Sequence, residues 1–178
     1  FFGQIKKVKG LDVLLRAIPL LPENFKIIIA GRPHKDDFTL YENLIAELGI
    51  SHRIKRIIRF ISDEERDYLF KNADALVLPY RKIFQSGVLL LSMSYGLPVV
   101  ASNLPANQEV IDDTYNGLLF QDGDHEDLAS KVAALFADTK LSVVKKGAFE
   151  TVQNKFCWSL IAEKYMEILA THEQCVSA

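Results

Sequence analysis

The stretch "FQSGVLLLSMSYGLPVVAS", Phe84–Ser102, decides the fold class. A polar Gln-Ser-Gly turn leads into a small and apolar run of helical length. Gly96-Leu97-Pro98 breaks that run, and the β-branched pair Val99-Val100 follows. A helix this apolar must be buried, so the stretch predicts a covered helix from about Ser86 to Tyr95 and then a buried strand at "PVVAS". The first turn of a buried helix carries backbone N–H groups without intrahelical acceptors. Together with the helix dipole they attract an anion. The Gln-Ser-Gly turn is therefore a candidate phosphate seat.

Outward from this unit, short apolar runs alternate with helical periodicity along the chain, the pattern of βαβ units on a parallel sheet. "FFGQ" reads as a first strand. "KGLDVLLRAIPLLP" is a helix with Leu11, Leu14, Leu15 and Ile18 on one face, and "FKIIIAG" is a buried strand ending at Gly31. "DDFTLYENLIAELGI" is a helix capped by Asp36 or Asp37 and stopped at Gly49. The strand "RIIRF" comes next. "SDEERDYLFKNA" then opens with Ser62 and Glu65 at capping-box spacing. The strand "DALVLP" precedes the opening stretch. A short helix near "ANQEVI", a strand at "GLLF", a helix from Asp124 to Ala137 and a last one through "WSLIAEKYMEILATH" complete the order. Residues 1–178 are expected to form a single α/β domain, a doubly wound, mostly parallel, six-stranded Rossmann-like sheet. Ligands of such sheets bind at the carboxyl ends of the strands.

Composition narrows the function. With 178 residues, 49% hydrophobic and 25% charged, the chain can build one substantial core. A net charge of −2 gives no electrostatic case for nucleic acid or an anionic membrane surface. Cys157 and Cys175 lack C-x-x-C spacing, which fits a reducing compartment and a cytoplasmic setting. No apolar run approaches the roughly 20 residues of a transmembrane span. The strand-like opening leads us to expect a piece of a larger protein.

Two loops carry the candidate chemistry. "GQIKKVKG", Gly3–Gly10, places Lys6, Lys7 and Lys9 beside the expected crevice, where an ammonium can neutralise a diphosphate; taken alone, it is more simply a solvated basic loop. It contains neither G-x-G-x-x-G nor G-x-x-x-x-G-K-[ST]. "YRKIFQSG", Tyr80–Gly87, adds Arg81 and Lys82 before the helix start, and Ser86 is equally an N-cap or a phosphate ligand. Two basic loops meeting one helix N-terminus favour an anion site. "QDGDHED", Gln121–Asp127, suits a helix start better than a calcium loop, since it lacks the length and terminal Glu of an EF-hand. His34, His52, His125 and His172 have no metal-ligand spacing, so no metal and no cofactor are expected.

"FFGQIKKVKGLDVLLRAI", "FKIIIAG", "ADALVLPY", "SGVLLLSMSYGLPVVAS" and "QEVIDDTYNGLLFQDGDHEDLASKVAALF", in this order, resemble the C-terminal donor-binding domain of group 1 glycosyltransferases, one half of a GT-B fold. "FCWSLIAEKYMEIL" is similar to that family's closing helix, which crosses back toward the N-terminal domain. The resemblance implies transfer of a sugar, without a required metal and with retention, from a nucleotide-diphosphate donor to a hydroxyl of a carbohydrate or lipid-linked acceptor, as in polysaccharide biosynthesis. It implies the protein's own N-terminal acceptor domain as a partner, no transfer by this domain alone, and a full-length protein in the cytoplasm or peripheral at a membrane. By the same resemblance Lys9, with Ser86, Gly87 and Val88, seats the diphosphate, and Lys9 and Gln4 occupy the catalytic positions. Arg81, Lys82 and Gln85 contact the donor sugar, while Arg59, Phe60, Ile61 and Ser62 line the base.

The chain departs from the family pattern in two places. Gln4 stands where the family has an Arg, with Lys6 or Lys7 available to compensate. Ile83 and Leu91 fall on the paired glutamates of E-x-x-x-x-x-x-x-E, and neither accepts a hydrogen bond. Two alternatives stay open at this level: a degenerate, non-catalytic GT-B-like interaction module, and a nucleotide-sugar epimerase.

Overall fold

The structure, a computed structural model, describes the backbone of residues 1–34, 38–137 and 139–176 and the side chains through residue 169. Five short strands form its frame: β1 (Ile27–Ala30), β2 (Ile54–Ile57), β3 (Leu76–Leu78), β4 (Val99–Ser102) and β5 (Leu118–Phe120). β1 and β2 pair in parallel with Ile27 opposite Ile54. β4 pairs in parallel with both β3 and β5, with Leu76 opposite Val99 and Val100 opposite Leu118. The helices are α1 (Leu11–Ala17), α2 (Thr39–Glu47), α3 (Asp63–Asn72), α4 (Gly87–Ser94), α5 (Pro105–Gln108), α6 (His125–Leu135), α7 (Lys140–Lys155) and α8 (Trp158–Val176).

Alternation along β3 and β4 sorts their side chains onto two faces. Val77 and Val100 join a core built with Leu14, Leu15, Leu128 and Val132 of α1 and α6. Leu76, Leu78, Val99 and Ala101 join a second core with Phe70 of α3, Leu89 and Met93 of α4, and Ala148 of α7. A sheet buried on both faces is the doubly wound arrangement expected from the sequence. Within each sheet the strands are parallel, so their carboxyl ends lie on the same edge.

Several expectations need correction. The described residues hold five strands in two small sheets rather than six in one. The segment expected as a first strand makes isolated bridges only, Phe2 to Ala30 and Ile5 to Pro33. Its hydrogen bonds to the β1 side nonetheless run on past Gly3, at φ +107°, with the Ile5 N–H on the Arg32 carbonyl at 2.9 Å and the His34 N–H on the Ile5 carbonyl at 3.1 Å. β2 lies earlier than "RIIRF" because Ile54 is its buried residue, so Arg59 and Phe60 fall beyond the strand. The sequence reading passed over α7, whose 16 residues include a buried Gly147 in mid-helix. The proposed caps Asp36 and Asp37 lie outside the described residues, and so do the side chains of His172 and Cys175.

Arg53 closes the lower end of the first core. Its guanidinium is buried and donates to the carbonyls of Ile18 at 2.8 Å, Leu21 at 3.1 Å, Pro22 at 2.6 Å and Phe25 at 3.2 Å. These bonds satisfy a charge that burial would otherwise penalise. They also pin the loop between α1 and β1.

Candidate functional site

Lys7–Lys9 form one 3₁₀ turn ahead of α1. The turn closes at Gly10, whose N–H donates to the Lys7 carbonyl at 3.1 Å. Gly10 sits at φ +62°, and a Cβ there would lie 1.8 Å from the Pro79 carbonyl oxygen, so only glycine allows the turn to approach the end of β3 this closely. The Arg81 N–H donates to the Val8 carbonyl at 2.9 Å and ties the two loops together a second time. As a result, the Lys9 Nζ stands 3.6 Å from the centroid of the Tyr80 ring.

Electrostatics at this junction follow from burial. Desolvation, and to a lesser degree the charge of Lys6, lower the Lys9 pKa to about 8. The ammonium therefore still dominates at neutral pH. Tyr80 is completely buried, and burial pushes its phenol up to about 12. The Ser86 hydroxyl is near enough to ease that shift, but the Tyr80 hydroxyl makes no hydrogen bond of good geometry.

α4 starts opposite this lysine turn. Ser86 is its N-cap, and the Ser86 Oγ accepts the Leu89 N–H at 3.3 Å. By position, the amides of Gly87 and Val88 have no intrahelical acceptor. A Cβ added to Gly87 would meet nothing within 4 Å, so open space lies beside this first residue of the helix. Gly3 faces the same turn, since a Cβ there would find the Val88 side chain at 3.9 Å. Lys9, Gly3 and the first turn of α4 thus surround one space fit for an anion.

The other candidate residues have partners of their own. Gln4 Nε2 is 2.8 Å from His34 Nδ1. The Arg81 guanidinium pairs with Asp12 of α1 at 2.5 Å. Lys82 stands 5.9 Å from the ring centroid of Phe84, which is 84% exposed, and Gln85 is exposed beside it. At the end of β2, both Arg59 Nη atoms bond the Glu65 carboxylate, at 2.7 and 2.5 Å, while Ser62 and Glu65 complete the expected capping box. Those Arg59 bonds, with the Ser62 N–H, lower the Glu65 pKa to about 2. Phe60 projects outward from this loop and Ile61 is half-buried.

The structure therefore links Lys9 to the first turn of α4 through Tyr80, whose ring lies under the Lys9 ammonium and packs in one core with Val88 and Leu89. It engages Gln4, Arg81 and Arg59 with His34, Asp12 and Glu65. Sequence reasoning missed Tyr80, whose only signal was its place directly after Pro79, and His34, which carried none. Ile83 and Leu91 pack against the core that holds Tyr80, Leu89 and Met93. A separate cavity of about 600 Å³, lined by Phe1, Leu14, Ile28, Leu76 and Phe136 among others, lies at the amino ends of β1 and β3. Its walls are mainly apolar. Among the described residues, no cluster of three or more His, Cys, Asp or Glu is placed to hold a metal ion, and no helix is long and apolar enough to cross a membrane.

The family profile "Glycosyl transferases group 1" matches residues 1–147. The chain belongs to this family. An uncharacterised glycosyltransferase of Methanocaldococcus jannaschii is 30% identical over 158 residues, 89% of this chain and 43% of the relative. A D-inositol 3-phosphate glycosyltransferase of Mycolicibacterium gilvum is 30% identical over 143 residues, 77% of this chain and 31% of that protein. The chain thus spans less than half the length of these group 1 glycosyltransferases. Among solved structures, Anabaena HepE in complex with UDP superposes with a TM-score of 0.86 at 21% identity, over 95% of this chain and 48% of that one. The C-terminal domain of a Francisella tularensis group 1 protein superposes with a TM-score of 0.79 at 22% identity, over 88% of this chain and 84% of that one. The fold is that of the C-terminal half of a GT-B glycosyltransferase.

Proposed function

We propose that this domain seats the diphosphate of a nucleotide sugar on Lys9 and the amino end of α4, and that the protein containing it transfers the sugar to an acceptor hydroxyl with retention. The observation that carries this reading is that the Lys9 ammonium lies over Tyr80, a ring packed in one core with Val88 and Leu89 of the first turn of α4, whose Gly87 faces open space. As the glycosidic bond breaks, negative charge grows on the leaving diphosphate. A fixed ammonium and oriented amides stabilise that charge more strongly in the transition state than in the ground state. Arg81, Lys82 and Gln85, on the loop before α4, are assigned to the sugar, and Gln4 is assigned to the catalytic position beside Lys9. Arg59–Ser62 are assigned to the base. The acceptor, a carbohydrate or a lipid-linked sugar, belongs to the N-terminal half of a GT-B pair, so the domain alone is expected to bind without turnover.

Titration calorimetry of the 178-residue chain with UDP, GDP and ADP, and with their monophosphates, tests the seat. One diphosphate is expected to bind saturably and more tightly than its monophosphate. Lys9→Ala is expected to weaken it by about 1.5–3 kcal/mol, the range for a charge-assisted bond. Equal affinity for diphosphate and monophosphate, untouched by Lys9→Ala, would remove Lys9 from the site. The inward packing of Ile83 and Leu91 favours a second reading, a degenerate interaction module. That module binds none of the six nucleotides.

A further inference from the structure

We propose that Tyr80 is a positioning residue that holds the Lys9 ammonium at the amino end of α4 through its aromatic face. The inference rests on the diphosphate seat proposed above and adds the device that builds it. Lysine has a long, flexible stem, and a mobile ammonium at the rim of a crevice would be strongly hydrated and poorly placed. Here its Nζ lies over the Tyr80 ring, 3.6 Å from the centroid, well inside the range in which a ring quadrupole attracts a cation.

The ring itself cannot move away. Tyr80 has no exposed surface, and its neighbours on both sides are fixed by backbone: Pro79 against Gly10, and Arg81 through its N–H to the Val8 carbonyl. The same side chain reaches the other half of the seat, because it shares a buried core with Val88 and Leu89 in the first turn of α4. One buried aromatic thus spans the lysine turn and the helix start. The negative face of the ring supplies part of the support that the ammonium loses by leaving water. An aliphatic side chain of similar bulk would keep the burial and lose that support.

Two measurements on the full chain test this. The first is the titration of Lys9 without nucleotide, followed by competitive acetylation and mass spectrometry of the Lys9 peptide across pH 6–11. The second is UDP affinity in a double-mutant cycle of Tyr80→Leu with Lys9→Ala. Tyr80→Phe keeps the ring and is expected to match the wild type in both. Tyr80→Leu is expected to lower the Lys9 midpoint by about half a pH unit and to weaken UDP by about two- to fivefold. It should have no further effect once Lys9 is alanine. Should the leucine variant fail to fold, fluorinated phenylalanines at position 80 weaken the ring face without changing its shape, and the same downward trend is expected. An unchanged Lys9 midpoint overturns the proposal, as does an equal UDP loss in the Lys9→Ala background. GDP or ADP replaces UDP in the cycle if it is the diphosphate that binds; if none of the three binds, the donor-seat reading fails separately, and the acetylation midpoints alone decide the role of Tyr80.

Discussion

At the scale of single residues, Gly87 separates folding from binding. It lies on ordinary helical backbone, and an added methyl group meets nothing in the free domain. Gly87→Ala is therefore expected to leave the urea midpoint unchanged or slightly raised, while UDP affinity falls at least tenfold by calorimetry as the methyl group occupies the space for phosphate oxygens. Lys9 sets a pH dependence of definite sign. Its pKa is lowered from 10.5 to about 8 on folding, so between those values the unfolded chain holds more protons, and folding stability rises with pH across that window. Diphosphate binding runs the opposite way, since it needs the ammonium. Affinity is expected to be flat up to pH about 7.5 and to fall about tenfold per unit well above 8, with net proton uptake on binding in buffers of different ionisation enthalpy. Lys9→Ala should remove this slope. Lys9, Ser86 and Gly87 were legible in the sequence because a glycine-led apolar helix and a basic loop each have a local signature. Tyr80 and His34 were not, because their partners Lys9 and Gln4 lie far away along the chain and only the fold brings them together.

Elements were legible where their ends carried side-chain signals. The Ser62–Glu65 box and the Asp124 cap mark α3 and α6, and both caps form as read. α7 had no such mark, for its N-cap Thr139 makes no side-chain cap bond and Gly147 interrupts its helix formers. The structure explains that glycine. A Cβ at position 147 would lie 2.2 Å from the Tyr115 carbonyl oxygen, so a helix-breaking residue is what lets α7 pack against the loop before β5. Gly147→Ala, which would help an isolated helix by about 1 kcal/mol, is expected to destabilise this domain by about 1–3 kcal/mol in urea denaturation. A stabilised Gly147→Ala variant would show that the contact is slack.

For the whole molecule, the alternation of helices and strands revealed the doubly wound class, while the division into two sheets has no local signature because it turns on which distant segments pair. The lower part of the first core depends on one side chain. Arg53→Met removes the donors of four backbone carbonyls at once and is expected to cost about 3 kcal/mol, read as a lower urea midpoint with the slope unchanged. Between the sheets runs the segment Phe1–Ile5, bonded to β1 on one side and touching α4 through Gly3 and Val88 on the other. That makes the proposed ligand space a seam. A nucleotide lodged there would act as a rivet across a joint that one shared core already closes, since Ile29 and Ile54 of one sheet pack with Val77, Val100 and Leu118 of the other.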